Sequence, residues 1–339
     1  MPGKGPFVDL SCPHGIIVET VYEVAISLDN NTDTAHDLVH RAAVRIASHQ
    51  LTAANEELER ALSVDFDNDD VVTALKYTNF WGDRQERVEG LSDAFERGEY
   101  LLSQWSVFQG FSERVGPRVE VVLNALRQHV FRQALEFYRE VYQERSNRDP
   151  ALLVRIGRCY KGAGDFDRAM RFLKAAGAQR PEDAEVLAEL ADVLALVNET
   201  AQAKAFFREA FFVDAQKIDI TRLESELIQR LVRAVDARGY RDAELREWIP
   251  VFGVLFGVLN VKRELRSIEF GRLKQSIYEL ERELREGTGD EGIIRPRLIN
   301  RYFWLIDHYM AVKEAQGKID EVLVKIRSVD ANVYHHYNA

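Results

Sequence analysis

The chain has 339 residues, too many for one ordinary compact core, and its 46% hydrophobic and 29% charged residues rule out wholesale disorder. Only 8 prolines and 20 glycines interrupt segments rich in Ala, Leu, Arg and Glu, which points to an all-α fold. A net charge of −10 argues against a nucleic-acid partner, and two distant cysteines, Cys12 and Cys159, argue against a disulfide framework or a zinc site.

Residues 1–20 read as an irregular tail. Its opening, MPGKGPFVDLSCPH, has no apolar core, so no signal peptide is expected. No hydrophobic stretch precedes Leu10-Ser11-Cys12, so lipidation at Cys12 is not expected either. Residues 21–114 read as degenerate helical hairpins. In the first, Ala42 marks one helix and Ala54, Leu58 and Ala61 the other. Residues 71–108 read as two longer helices around Trp81-Gly82-Asp83. The next hairpin would pack through Val119, Val122, Leu123 and Leu126, with Ala134 and Tyr138 on its second helix and a turn about one residue shorter than usual.

A clear repeat starts at Pro150. Laying the chain over itself so that Leu153 meets Leu187 also brings Ile156 onto Leu190 and Gly157 onto Ala191. The same shift brings Ala169 onto Ala203 and Leu173 onto Phe207. Asp149 and Asp183 stand at N-cap positions, Pro150 suits a first helical turn, and Gly164-Asp165 supplies a tight turn.

Small residues at Gly157, Ala169 and Ala176, the surrounding large apolar positions, and Pro181 make this segment resemble the tetratricopeptide repeat family. The resemblance is strongest over residues 150–217 and degenerate elsewhere. It implies an α-α superhelix of antiparallel hairpins, with repeats over 115–217, and a protein or peptide bound in a concave groove. By register with the family, groove positions fall at Val154, Arg155, Arg158 and Lys161, and at Ala188, Glu189 and Asp192 in the following repeat. Asn124 and Arg127 occupy them in the preceding one. The resemblance thus implies a basic ridge beside an acidic one, either engaging a partner or forming inter-repeat ion pairs. Of the family's carboxylate-gripping set only Asn124 matches, and Glu120, Arg155, Glu185 and Glu189 take the other places. An acidic peptide tail is therefore not the expected ligand.

Residues 218–339 lose the repeat period but stay helical, with Leu223, Leu227, Leu231 and Val235 recurring every four residues. Pro250 is expected to open a long helix over about 250–286, whose later part carries a heptad-like seam at Phe270, Leu273, Ile277, Leu280 and Leu284. The apolar run Trp248–Val261 is shorter than the roughly 20 residues that span a bilayer, so it reads as a buried helix and no membrane span is expected. A final hairpin over 295–328 and a tail complete the chain.

Chemistry-bearing motifs are weak throughout. Asp65, Asp67 and Asp69 begin like a calcium loop, but Asp70 and Lys76 stand where glycine and glutamate are needed. Gly157, Gly162 and Gly164 are followed by no Gly-Lys-Ser/Thr. His335 and His336 are adjacent tail residues without further ligands at helical spacing. No catalytic residue, metal or cofactor is expected. The reading is a bacterial-type, cytoplasmic interaction scaffold, with two rivals: a homo-oligomer assembled by the C-terminal helices, and an enzyme or small-ligand carrier with a pocket between the two helical regions.

Overall fold

The computed structural model describes residues 33–144, 149–261 and 263–339. The expectations for the tail and for Cys12 lie outside them. The described residues form fifteen α-helices and two short 3-10 turns, and no strand. Two compact units divide the chain at 175/176.

In the first unit, α1 (Ala35–Ala47) and α2 (Leu51–Val64) form an antiparallel hairpin. Thr34 caps α1 through Asp37, and Ala42, Ala54, Leu58 and Ala61 are fully buried where the helices meet. α3 (Asp69–Gly90) then runs straight through Gly82, where the sequence suggested a break. Burying Tyr77, Trp81 and Val88 along one side outweighs the roughly 1 kcal/mol cost of a helical glycine. The break falls instead at Leu91–Asp93, where Asp93 accepts from the Glu96 backbone N–H at 2.8 Å and starts α4 (Ala94–Ser112).

Residues 120–144 correct a second expectation. They form one continuous helix, α5 (Glu120–Glu144), in place of a hairpin. The stretch Leu126–Gln133 contains neither Gly, Pro, Asn nor Asp, so nothing there stops a helix. α5 packs against α1, α4 and α6 (Pro150–Gly162). Close approach is built into the α4 and α6 contacts: a Cβ at Gly98 would lie 2.6 Å from the Tyr138 ring, and one at Gly162 would lie 2.3 Å from the Phe131 ring.

The repeat is visible in the backbone itself. α6 and α7 (Phe166–Gln179) recur as α8 (Ala184–Leu196) and α9 (Thr200–Asp214). Asp149 caps α6 and Asp183 caps α8. Gly164 (φ 83°) and Asn198 (φ 64°) both take the left-handed conformation at the turn. The next backbone N–H then reaches back five residues, Asp165 to Tyr160 at 2.9 Å and Glu199 to Leu194 at 2.8 Å. Ala169 and Ala203 are fully buried, and a Cβ on Gly157 would lie 2.8 Å from Leu173. The α1–α2 turn at His49 (φ 61°) closes in the same way, with Gln50 N–H bonding Arg45 O.

The second unit continues with α10 (Glu226–Asp236), α11 (Asp242–Leu255), α12 (Ser267–Glu286), α13 (Glu291–Ala311), α14 (Gln316–Val329) and α15 (Ala331–Tyr337). The expected long helix near 250–286 is two helices. Pro250 lies inside α11, which ends at Leu255 and is closed by the left-handed Gly257 (φ 68°), with the Leu259 N–H reaching Gly253 O at 2.8 Å. α12 starts afresh at a cap formed by Arg266 and Glu269. The seam residues Leu273, Ile277 and Leu280 are buried in the unit's own core beside Trp248, Leu298 and Tyr302. The final hairpin is α13–α14, and the expected tail forms α15, capped by Asp330.

Candidate interaction surface on the repeat helices

The nine residues that the repeat register singles out divide by burial. Val154, Arg158 and Lys161 on α6 are buried, the two cations at 7% and 3% exposure. Ala188, Glu189 and Asp192 on α8 are buried too, the two acids at 2% and 0%. Each of these four charged groups is engaged in at least one polar or electrostatic interaction, as a charge deprived of water must be. For Asp192 the role is explicit. Its carboxylate accepts from the backbone N–H groups of Glu224 and Ser225 at 2.8–3.0 Å, immediately before α10. It thus serves as a structural anchor within the second unit.

Three of the nine keep solvent access, all in the first unit. Asn124 is exposed on α5, and Arg127 is half-buried one turn further along. Arg127 donates from Nε to the Gly162 carbonyl at 2.9 Å, so it covers the C-terminal end of α6. Arg155 is half-buried on α6 and grips Glu99 of α4 with two donors, Nε at 2.6 Å and Nη2 at 3.1 Å. Its third donor, Nη1, bonds Ala151 O at 3.1 Å, and its guanidinium lies 5.1 Å from the centre of the Phe95 ring. Glu99 also accepts the Tyr138 hydroxyl. The Glu99 hydrogen bond holds the Arg155 pKa above its ordinary value, and burial followed by the bond to Glu99 raises that of Tyr138.

The accessible residues do not form one cluster. Arg127 meets the end of α6 while Arg155 sits beside Tyr138, 11 positions further along α5, or about 16 Å of helix. They mark an elongated strip along the α5–α6 pair.

The sequence did not single out Glu99 or His129, and it marked Tyr138 only as a packing residue. Glu99 and Tyr138 fix Arg155, and the repeat register carries no signal for either role. His129 on α5 is 4% exposed and packs against His49, with ring centres 4.7 Å apart and Nδ1 lacking a hydrogen-bond partner. Burial and then the nearby His49 push its pKa down to about 4. Cys159 is fully buried, and that burial raises its thiol pKa, which disfavours the reactive thiolate.

Among the described residues, no group of three or more His, Cys, Asp or Glu side chains converges as metal ligands. Asp65 ends α2, Asp69 and Asp70 stand in the first turn of α3, and Asn68 between them caps α3 and donates its amide to Asp65 at 2.8 Å. No helix among the described residues is long and apolar enough to cross a membrane. No curated protein matches the chain. A family model described as "Tetratricopeptide repeat" matches residues 125–188 and again 161–227. The doubled match overlaps the caps, turns and small-residue contacts that recur from α6–α7 to α8–α9, and residues 125–227 are a tetratricopeptide repeat segment.

Proposed function

We propose that this chain is an adaptor, binding a partner protein or peptide along its repeat helices, with Asn124, Arg127 and Arg155 among the contact residues. The observation that carries this reading is the doubled family match over 125–227, a repeat type that serves protein–protein interaction scaffolds. The strip along α5–α6 supports it, because helical scaffolds hold exposed side chains at fixed spacing for a peptide to meet. Val154, Arg158, Lys161, Ala188, Glu189 and Asp192 enter this reading as supports of the scaffold, since their burial removes them from direct reach. A non-catalytic role and a cytoplasmic setting belong to the same proposal. The rival in which the C-terminal helices build a homo-oligomer is the less favoured, because Leu273, Ile277 and Leu280 of the α12 seam are buried within their own unit.

A photo-crosslinking residue placed at Asn124 tests the reading, with the same residue at the exposed Lys174 of α7 as the control position. A partner trapped in native lysate from position 124 and not from 174 supports it. Equal trapping from both positions, or trapping from 174 alone, places the binding surface elsewhere.

A further inference from the structure

A cavity of about 160 Å³ lies within the second unit, beside the end of α9, α11 and α13. Liquid water takes roughly 30 Å³ per molecule, so the space admits about five waters or a small organic molecule. Three of its lining residues are apolar, Phe211, Val213 and Ala215. The rest are charged, Asp214, Glu247, Arg297 and Arg301.

The two arginines stand four residues apart on α13, so they share a face. They are not equivalent. Arg297 spends Nε and Nη2 on Glu247, a buried carboxylate that also accepts from Gln216 Nε2 at 2.9 Å. Arg301 has no carboxylate within ion-pair distance among the described residues. Its Nη1 donates to the Phe212 carbonyl, its Nε donates to Ser276 Oγ at 3.2 Å, and its guanidinium lies 4.0 Å from the Phe212 ring centre. Arg301 Nη2 and Arg297 Nη1 make no hydrogen bond to the described residues, and neither is a sealed, dry donor. Burial, reinforced by the neighbouring Arg297 and opposed by Glu247 and Asp214, lowers the Arg301 pKa to about 10. A guanidinium enclosed in this way is stabilised by an anion that shares its surroundings.

We propose that this cavity binds a small monocarboxylate, held by the spare Nη groups of Arg301 and Arg297 with its hydrocarbon end against Phe211, Val213 and Ala215. A carboxylate matches the planar donor edge of a guanidinium with two oxygens. Arg297 is already matched by Glu247, so Arg301 is the cation left to balance one negative charge, and a lining that sums formally to zero has no excess charge to offset a second. The volume limits the acid to a short chain. The site is separate from the α5–α6 strip, so either assignment stands without the other.

Butyrate titrated into the full chain, followed by calorimetry or by NMR, tests the site. Saturable binding is expected in the roughly millimolar range typical of so small a ligand. Butyramide, which lacks the charge, and inorganic phosphate, which carries too much, are expected to bind at least about tenfold more weakly. Arg301→Gln retains a donor for the Phe212 carbonyl but loses the cation, and should weaken butyrate about tenfold or more. Asp214→Asn removes one acid from the lining, keeps its side-chain acceptor for the Gln216 N–H, and should tighten butyrate. Should Arg301→Gln fail to fold, by circular dichroism, the Asp214→Asn comparison decides alone. Absence of saturable butyrate binding to the wild type, or equal affinity in wild type and Asp214→Asn, overturns the proposal.

Discussion

Residues 150–214 and residues 218–339 are both helical, but different interactions hold them. In the repeat segment, short helices meet through alanine and glycine and turn at a single left-handed residue. Contact within each hairpin is local in sequence, and the same solution appears twice. The C-terminal helices have no period to repeat. They are fixed, to one another and to the last repeat helix α9, by long-range polar clasps set into an apolar core: Arg208 of α9 with Asp307, Arg297 with Glu247, and Arg301 on the Phe212 carbonyl of α9. Small-residue packing can be copied along a chain at little cost. A buried clasp has to be assembled from residues far apart in sequence, and it fails badly when one partner is lost.

Asp307→Ala should therefore produce the largest effect. Arg208 is buried, bonds Leu259 O at 2.9 Å from Nη1, and lies over Trp304; Asp307 is its carboxylate partner. Removing the acid strands a cation in the core, at a cost of about 3–5 kcal/mol. Replacing both partners, as Arg208→Met with Asp307→Leu, should recover most of that loss. Urea denaturation read by tryptophan fluorescence and by circular dichroism measures both variants. An Asp307→Ala protein as stable as the wild type would show that the clasp does not hold the unit.

His129 extends the contrast to the first unit, as a buried polar group with an orphaned nitrogen. Its folded pKa of about 4 lies below the ordinary histidine value of 6.5. The unfolded chain thus takes up the proton first as pH falls. The stability tied to neutral His129 is fully present above about pH 6.5 and is lost progressively between there and pH 4. Across that window the loss is on the order of 3 kcal/mol. His129→Phe should flatten this part of the pH profile, which denaturation midpoints at pH 4.5, 5.5 and 7 would reveal. A variant whose profile keeps the wild-type slope would assign the acid sensitivity to other groups.

Much of the repeat segment was legible in the sequence because each of its signals is local. Asp149 and Asp183 cap, Gly164 turns, and Ala169 and Ala203 are small, all at positions readable without knowing what lies across from them. Two helix boundaries misled for the opposite reason. Gly82 reads as a break and is not one, because burial of Trp81 and Val88 overrides a weak local preference. Pro250 reads as a helix start, yet α11 begins eight residues earlier and absorbs it. Single-helix register also could not reveal that Arg158, Lys161, Glu189 and Asp192 are buried, since burial depends on what packs over them. Arg297, Arg301 and Glu247 belong to no motif and meet only in the folded chain.

The smallest effect separates two turns that are otherwise alike. Gly164 and Asn198 occupy equivalent places in consecutive repeats, and both have positive φ, at 83° and 64°. Glycine adopts this region without steric cost, whereas a Cβ brings it too close to the following carbonyl, at about 1–2 kcal/mol for an ordinary residue and less for asparagine. The space around Gly164 is open, with nothing within 4 Å of an added Cβ, so a substitution there probes conformation and not crowding. Gly164→Ala should therefore cost about 1 kcal/mol. Asn198→Gly should be neutral or stabilising by a few tenths of a kcal/mol, because the relief of strain at φ 64° is set against the greater freedom of glycine in the unfolded chain. Thermal melts of the two variants, compared at equal concentration, should shift in opposite directions or leave only the first displaced. Equal destabilisation by both would mean that the Asn198 side chain, and not its backbone conformation, closes the second turn, and the equivalence of the two repeats would then hold for helix packing but not for the turns that join them.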